Sequence, residues 1–244
     1  MPAFFVEPEH VDGDHLTLVG EEAHHIRVRR CREGDVLDII DGIGVAYQVR
    51  VQTLKPERVE AEIMQRLPEW GESAVDLHLA AAVPKGSRFD LVVEKATEVG
   101  VRSITPLLCE RGVVRPGNEK RRLERWHRLA RAAAKQCDRS RVPRITEPVP
   151  LQTAADDLQS QCDCILLAGP QGGLPLAEAL QGNAGAVGLF IGPEGGFDPA
   201  ESTALIELGA RPVTWGERVL RAETAAVVIS ALVLDHTLRA RSES

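Results

Sequence analysis

The stretch AVGLFIGPEGGFDPAE (residues 186–201) indicates the fold of the larger part of the chain. It begins with an apolar run short enough for a buried strand and continues into a glycine-rich turn. Asp198 is a preferred N-cap residue, Pro199 suits the first helical position, and Glu201 stands where a capping box needs its acid. The stretch therefore predicts a strand, a tight loop and a helix start. In α/β proteins ligands bind at such a strand end.

The loop GPEGG (192–196) lacks the sequence of a phosphate-binding motif. The chain contains neither G-x-x-x-x-G-K-[ST] nor G-x-G-x-x-G. Glycines let the backbone approach a ligand closely, but Glu194 would repel a pyrophosphate. The loop therefore favours a cationic or hydroxyl-rich nucleoside, and S-adenosylmethionine meets that description. The alternative is a tight turn in which Glu194 is merely solvated.

Two further stretches leave predicted strands in the same way, WGERVLRAETA (215–225) and LLAGPQGG (166–173). In the first, Arg221 and Glu223 stand at the opening turn of an otherwise apolar helix. Charges at the edge of a buried element are costly unless they are paired or used, so the two residues form either a structural ion pair or part of a site. Three such loops can build one pocket for an adenosine-like ligand.

The rest of the pattern predicts two kinds of structure. Residues 1–67 alternate short strands with turns, including a hairpin over 36–51 and a basic helix at 21–30, which indicates a small β-rich domain of barrel type. After a linker at 67–73, apolar strands alternate with helices, which predicts an α/β domain with a mainly parallel sheet. The last helix, about 221–240, is apolar on nearly all sides and is expected in the core or in a subunit interface.

Composition excludes several classes of protein. Hydrophobic residues make up 43% of the 244, no leader-like segment opens the chain, and the longest apolar run (225–234) is half the length of a membrane span. The five cysteines include no C-x-x-C pair, which predicts free thiols in a reducing cytoplasm. The seven histidines show no ligand spacing, so no metal is expected.

Positive charge is concentrated although the net charge is −7. Residues 111–144 hold twelve Lys or Arg against three acids, and HHIRVRRCR (24–32) holds four arginines and no acid. Two such patches on an acidic chain are typical of a nucleic-acid footprint. The competing interpretation is a solvated helix face.

The combination of IGPEGGF (191–197) with ERVLRAETA (217–225) resembles the signature pair of the SPOUT-class RNA methyltransferases. The whole layout is similar to the RsmE family, which methylates N3 of a uridine in 16S ribosomal RNA. KGSRFDLVVEKATEVGV (85–101) and the segment 125–145 match as well. One departure is WGE at 215–217, where an aliphatic residue is expected before the glycine.

The resemblance implies a SPOUT-type trefoil-knotted α/β methyltransferase domain over 74–240, a PUA-like β-barrel RNA-binding domain over 1–70, and a cytoplasmic homodimer. It implies S-adenosylmethionine as cofactor and 16S ribosomal RNA or the small ribosomal subunit as partner. The residues carried over as cofactor-binding are Leu167, Gly169, Gly192, Pro193, Glu194, Gly195, Gly196, Arg218, Leu220 and Thr224. The cations expected to bind RNA are Arg27, Arg29, Arg30, Arg32, Arg125, Arg128 and Lys135.

Methyl transfer to a uracil nitrogen needs positioning, a proton acceptor and stabilisation of the uracil oxygens, but no covalent nucleophile. We expect Arg221 to stabilise the oxygens and Glu223 to orient Arg221 or accept the proton; a structural ion pair is the alternative. Two other functions stay open. One is a SPOUT methyltransferase acting on another RNA or on a ribose 2′-oxygen, and the other is a non-catalytic ribosome-assembly protein.

Overall fold

The computed structural model describes residues 3–112, 119–169, 172–180, 185–214 and 216–242, with side chains through 239. Arg115, Pro170, Gln171 and Trp215, which figured in the sequence predictions, lie outside the described residues. The chain divides into two compact units. The first comprises Met1–Glu72 with Arg131–Val142, and the second comprises Ser73–Ala130 with Pro143–Ser244. The domain limits 1–70 and 74–240 stay predictions, and the units differ from them chiefly at 131–142.

The first unit is built on a six-stranded sheet and confirms the predicted β-rich structure. The strand order is β1-β4-β5-β6-β3-β2, in which β1 pairs with β4 in parallel and the other neighbours are antiparallel. Its elements are β1 (Phe4–Phe5), a 3₁₀ turn (Pro8–His10), β2 (Val11–Asp12), β3 (His15–Val19), α1 (Gly20–Val28), β4 (Val36–Ile40), β5 (Val45–Lys55) and β6 (Arg58–Pro68).

The predicted hairpin of β4 and β5 is confirmed, and a buried carboxylate holds its turn. Asp41 is 3% exposed, and its Oδ1 accepts hydrogen bonds from the backbone N–H groups of Ile43, Gly44 and Val45 at 2.9–3.0 Å. Its Oδ2 accepts a bond from the Tyr47 hydroxyl at 3.2 Å. Every oxygen of this buried group is therefore satisfied by its own turn or by the neighbouring strand.

The second unit contains an eight-stranded sheet in which every pairing is parallel, which confirms the predicted α/β class. The order is β10-β8-β7-β13-β11-β14-β12, with β9 beside β8. The strands are β7 (Asp76–Ala82), β8 (Ser103–Leu108), β9 (Arg144–Ile145), β10 (Val149–Pro150), β11 (Cys164–Ala168), β12 (Leu174–Pro175), β13 (Ala186–Ile191) and β14 (Arg211–Thr214).

The helices agree with the predicted periodicity. They are α2 (Arg88–Val99), α3 (Glu119–Gln136), α4 (Leu151–Gln161), α5 (Leu176–Ala179), α6 (Pro199–Glu207) and α7 (Ala222–Ser242). α2 ends as predicted at Gly100, whose φ of 108° is the left-handed conformation that glycine adopts at low cost. α7 packs against α2, β7 and β13. No helix in the described ranges is long and apolar enough to cross a bilayer.

The position of β13 is the feature that brings distant loops together. Although β13 comes late in the chain, it lies between β7 and β11, with Ile191 paired to Ala81 on one side and to Ala168 on the other. Because the pairings are parallel, the loops after all three strands leave the same edge of the sheet. This order is consistent with the knotted topology of the SPOUT class, and the knot itself stays a prediction.

The segment Arg131–Val142 is joined to the first unit by ion pairs. Arg131 binds Glu7 at 2.8 Å, Lys135 binds Glu22 at 2.6 Å, and Arg141 binds Glu69. The most buried pair is Arg139 with Glu72, whose side chains are only 2% and 5% exposed and lie 2.7 Å apart. The backbone N–H of Arg141 also donates to Glu72, at 2.9 Å. Four of the twelve cations in 111–144 therefore have a structural use.

Replacing Glu72 by Gln should lower the free energy of unfolding by about 3–5 kcal/mol, because it leaves a buried guanidinium without its counter-charge. The matched control is Glu60→Gln, which removes a carboxylate that pairs with Arg58 while 39% exposed. Such a surface pair contributes at most about 1 kcal/mol. Urea denaturation followed by circular dichroism measures both changes. Equal effects of the two substitutions would show that the Arg139–Glu72 pair is not what holds Arg131–Val142 in place.

Candidate functional site

Three loops at the carboxyl edge of the parallel sheet enclose a cleft of about 100 Å³. The first loop follows β11, the second follows β13, and the third connects β14 to α7. β11 is paired with β13 on one side and with β14 on the other, so the three loops start from adjacent positions. The prediction that three loops form one pocket matches this geometry.

The loop after β13 folds as its sequence predicted. Asp198 Oδ1 accepts hydrogen bonds from the N–H groups of Ala200 and Glu201, at 2.8 and 3.0 Å. Glu201 returns the contact, since its Oε2 accepts from the Asp198 N–H at 2.9 Å and completes the capping box. Gly196 has a φ of 68° and donates its N–H to the Pro193 carbonyl at 2.8 Å. The loop is therefore fixed at both ends by its own residues.

Two arginines from neighbouring loops hold the middle of this turn. Arg88, the first residue of α2, binds Glu194 at 2.5 Å, and Arg111 donates to the Gly195 carbonyl at 2.9 Å. The first contact could not be foreseen from the sequence, because 106 residues separate the partners. Glu194 lines the cleft as predicted, but Arg88 already balances its charge. Glu194 therefore repels phosphate less strongly than its sequence context suggests.

Seven of the residues predicted to bind the cofactor line the cleft, and three do not. Leu167 is 6% exposed and packs in the core, Gly195 offers its carbonyl to Arg111, and Thr224 is exposed on α7. The roles of these residues stay predictions. Those that line the cleft are Gly169, Gly192, Pro193, Glu194, Gly196, Arg218 and Leu220.

An apolar wall of the cleft was missed from the sequence. It is formed by the last residues of two strands, Ala168 and Ile191, and by Ala222, Ala225 and Ile229 of α7. The helical residues recur at intervals of three and four, so they share one face of α7. The sequence shows this spacing, but α7 is apolar on nearly all sides. The sequence therefore does not indicate which face of the helix meets the loops. Gly216 and Val219 complete the lining.

The glycines of the cleft fall into two groups. A Cβ added at Gly192 would lie 3.0 Å from the Phe197 nitrogen, so that glycine is needed for the close packing of the turn. A Cβ at Gly169, Gly196 or Gly216 would meet no atom within 4 Å. No neighbouring protein atom excludes a side chain at these three positions, although the positive φ of Gly196 and Gly216, 68° and 93°, favours glycine there in any case. The open space leaves the backbone of the cleft accessible to a ligand.

Arg221 and Glu223 flank the cleft without lining it. Arg221 is exposed between two cleft residues, Leu220 and Ala222. Glu223 is 6% exposed, and its Oε2 is buried without a hydrogen-bond partner. Across the described residues no ion pair joins the two side chains, so the alternative of a structural pair has no support in the geometry. A buried carboxylate oxygen that lacks a donor is costly, and such groups point to a missing partner.

The cations predicted to bind RNA differ in availability. Arg27, Arg29, Arg30 and Arg32 are all exposed on or just after α1; Arg29 lies 4.9 Å above the Phe4 ring. In the second unit, Arg125 binds Asp90 at 2.5 Å while 56% exposed. Arg128 is exposed beside it. Lys135 is 17% exposed and held by Glu22, so its assignment to RNA stays a prediction that competes with a structural role.

The five cysteines are free thiols, and four of them have a raised pKa. Burial raises the pKa of Cys109 to about 12, with a smaller contribution from Glu201. Burial also raises the pKa of Cys162 to about 12 and that of Cys164 and Cys31 above the usual value. A thiol with a raised pKa holds little thiolate near neutral pH. These four thiols are therefore poor candidates for a nucleophile.

Comparison with known proteins agrees with this arrangement. Residues 71–234 match the family model of the RNA methyltransferase domain, and residues 18–64 match that of the RNA methyltransferase PUA domain. Ribosomal RNA small subunit methyltransferase E of Synechocystis is 32% identical over 93% of this chain and 75% of its own length. The protein of that name from Aquifex aeolicus is 30% identical over 91% of this chain and 95% of its own length.

A solved structure supports the same family assignment. The crystal structure of ribosomal RNA small subunit methyltransferase E from Neisseria gonorrhoeae, bound to S-adenosyl methionine, superposes with a TM-score of 0.83 at 29% identity. The match covers 95% of this chain and 96% of the other. The family expected from the signature residues is confirmed. The chain belongs to the RNA methyltransferase family, as a relative of the proteins named ribosomal RNA small subunit methyltransferase E.

Proposed function

We propose that the protein transfers a methyl group from S-adenosylmethionine to N3 of a uridine in 16S ribosomal RNA. The observation that carries the proposal is the glycine-lined cleft, flanked by an exposed arginine and a buried carboxylate with an unpartnered oxygen. The relatives are named for the small-subunit ribosomal RNA, and the Neisseria protein is described with S-adenosyl methionine bound. Together they favour this cofactor and this substrate class.

The residues of the cleft fit the cofactor. The apolar wall of Ile191, Ala225 and Ile229 suits a purine ring, and the glycine backbones leave room for polar groups to approach N–H and C=O groups. Arg218 is exposed at the rim and can pair with a carboxylate. S-adenosylmethionine supplies an electrophilic methyl group on a sulfonium. The turn at 192–196 is already held by Arg88 and Arg111, so little ordering is needed on binding.

Arg221 and Glu223 suit the acceptor side of the reaction. Uracil must lose its N3 proton, and the negative charge that develops spreads onto O2 and O4. An exposed guanidinium next to the cleft can reach a base outside it and stabilise that charge. Glu223 has an oxygen free to accept a proton or to orient a donor. We assign Arg221 to the oxygens and Glu223 to the proton or to positioning.

The exposed cations would hold the RNA. We assign phosphate contacts to Arg27, Arg29, Arg30 and Arg32 of the first unit and to Arg125 and Arg128 of the second. This function places the protein in the cytoplasm, where its substrate is. Phosphate contacts release counterions, so affinity should fall steeply with added salt.

We further propose that two copies of the chain associate through α7. Val227, Val228, Ala231 and Leu232 of this helix are only half-buried, and Leu238 is 61% exposed. These residues lie on one side of α7, which also carries the exposed ion pair of Asp235 with Arg239, and the other side of the helix packs in the core. A second copy of the same helix covers such a face symmetrically.

The direct test is methyl transfer from labelled S-adenosylmethionine to small ribosomal subunits and to free 16S ribosomal RNA that lack native modifications. Nucleoside mass spectrometry of the product then identifies the modified atom. Recovery of 3-methyluridine is the expected result. Label in a ribose-methylated nucleoside would support S-adenosylmethionine as the cofactor but would show that the methyl acceptor is a ribose 2′-oxygen and not uracil N3. No label on either RNA despite cofactor binding would favour a non-catalytic assembly role.

Gly216 and Gly209 offer a matched test of the cofactor site. Both have a φ of 93° and open space around an added Cβ, but only Gly216 lines the cleft. Changing either to Ala should cost about 1 kcal/mol of stability through backbone strain. Only Gly216→Ala should also weaken S-adenosylmethionine binding, by about tenfold, measured by calorimetry. Equal affinity in the two variants would place the cofactor elsewhere.

Arg221→Ala should reduce turnover by about 10²–10³-fold, the usual effect of removing one group that stabilises a developing oxyanion. The affinity for S-adenosylmethionine should stay within about twofold, because Arg221 does not line the cleft. Arg218→Ala, at the cleft rim, is the control and should mainly lower that affinity. A parallel loss of affinity and turnover in Arg221→Ala would move Arg221 into the cofactor site.

Val228→Asp should convert a dimer into monomers, because it places a charge in the proposed apolar interface. Ile206→Asp is the control, since Ile206 is an exposed apolar residue of α6, 48% accessible and outside the proposed face. Sedimentation velocity measures both. A wild-type protein that sediments as a monomer at micromolar concentration would refute the interface.

A further inference from the structure

The second unit contains another cavity, of about 550 Å³, which is lined by Arg125, already assigned to a phosphate contact, and by Lys85 and Arg122, which have no assigned role. It lies between the loop that joins β7 to α2 and the first half of α3. We propose that this cavity binds a backbone phosphate of the RNA substrate next to the target nucleotide. The inference rests on the proposed function and adds a specific phosphate site to it.

The charges that line the cavity favour an anion. Lys85, Arg122 and Arg125 contribute three cations, and Asp90 is the acid among the lining residues. Asp90 is committed to Arg125, at 2.5 Å, and only 17% of its side chain is exposed. That pair leaves the charges of Lys85 and Arg122 without compensation in the cavity. Two uncompensated cations on a concave surface attract a phosphate more strongly than dispersed surface charges do.

Arg122 carries the most specific signal. Its Nη1 is buried and has no hydrogen-bond partner. Among the residues that the structure describes, the remaining atoms of this side chain also make no hydrogen bond or ion pair. A buried guanidinium N–H without an acceptor costs free energy, so the arrangement is one that a ligand oxygen would complete. The planar fork of arginine matches the oxygens of a phosphate.

The amino-terminal end of α2 adds positive electrostatic potential to this cavity. Ser87 is the N-cap residue, but no side chain caps this helix end. Gly86 precedes it with a φ of 75° and open space around it, so the backbone is accessible. Uncapped N–H groups at a helix start carry partial positive charge and bind anions. The floor is formed by Phe89 and Trp126, whose buried rings pack 4.8 Å apart and fix α2 against α3.

The position of the cavity ties it to the reaction. Arg88 follows Ser87 directly and binds Glu194, a lining residue of the cofactor cleft, so the start of α2 connects the two cavities. The neighbouring strands β7 and β13 carry these loops at the same edge of the sheet. On the other side, exposed Arg121 and Arg128 continue the cationic surface along α3 at helical spacing. A strand whose phosphate enters the cavity would therefore present an adjacent base to the cleft.

The test compares Arg122→Gln and Lys85→Gln with Lys120→Gln. Lys120 is an exposed cation on the same helix that does not line the cavity, so all three variants remove one positive charge. Binding of unmodified 16S ribosomal RNA is measured by filter retention at several salt concentrations. Affinity for S-adenosylmethionine and thermal unfolding are measured in parallel.

Arg122→Gln should weaken RNA binding about tenfold and reduce the slope of log affinity against log salt by about one, as loss of one phosphate contact predicts. Lys85→Gln should act in the same direction, and Lys120→Gln should leave both quantities nearly unchanged. Cofactor affinity should not change, since neither residue lines that cleft. Because Arg122 makes no bond among the described residues, its substitution should not lower the unfolding temperature.

RNA binding by Arg122→Gln and Lys85→Gln that equals that of Lys120→Gln would overturn the phosphate site. The proposal would also fail if the wild-type protein bound inorganic phosphate, detected by ³¹P NMR, and Arg122→Gln lost that binding without losing any RNA affinity. The cavity would then hold a free anion and not a phosphate of the RNA. The proposed function fails differently. In that case the wild-type protein binds cofactor but not 16S ribosomal RNA, and the phosphate site fails with it.

Discussion

The insertion of β13 between β7 and β11 is the constraint on which the site depends. Parallel pairing on both sides fixes the end of β13 at the same height as the ends of its neighbours, with Ile191 level with Ala81 and Ala168. Loops far apart in the chain therefore leave one edge together. The glycine-rich turn after β13 stands between a loop that closes the cofactor cleft and a loop that borders the cationic cavity. Both cavities are consequences of one strand order.

Long-range contacts of arginine then give these loops their shape. Arg88 and Arg111 hold the turn at 192–196 from two sides, and the capping box of α6 holds its end. A turn fixed before the ligand arrives loses little entropy on binding. In the first unit a similar principle applies to Arg139, which is buried on Glu72 and ties Arg131–Val142 to the β-rich sheet. Four cations between Arg131 and Arg141 thus serve packing, whereas Arg121, Arg125 and Arg128 are exposed.

Contacts between residues close in the sequence could be predicted, whereas contacts between distant residues could not. The capping box at Asp198 and Glu201, the hairpin of β4 and β5 and the stop at Gly100 depend on neighbours within a few residues, and all were confirmed. The Arg88–Glu194 pair joins residues 106 apart, and nothing in the local pattern distinguishes Arg88 from other arginines. Periodicity also identified α7 as buried without showing that Ala222, Ala225 and Ile229 face the cleft. The knot and the dimer stay predictions of the family resemblance, and topology rules that treat threading as exceptional do not lead to a knot.

The central claim is that the three loops form the cofactor site, and a crystal structure of the protein grown with S-adenosylmethionine tests it most directly. The account predicts the ligand between Gly169, the turn at 192–196 and the segment 216–220, with the Arg88–Glu194 pair intact. Arg221 should remain outside the ligand contacts, available to the RNA base. A ligand bound elsewhere at saturating concentration, or in contact with Arg221 instead of the glycine backbones, would contradict the account.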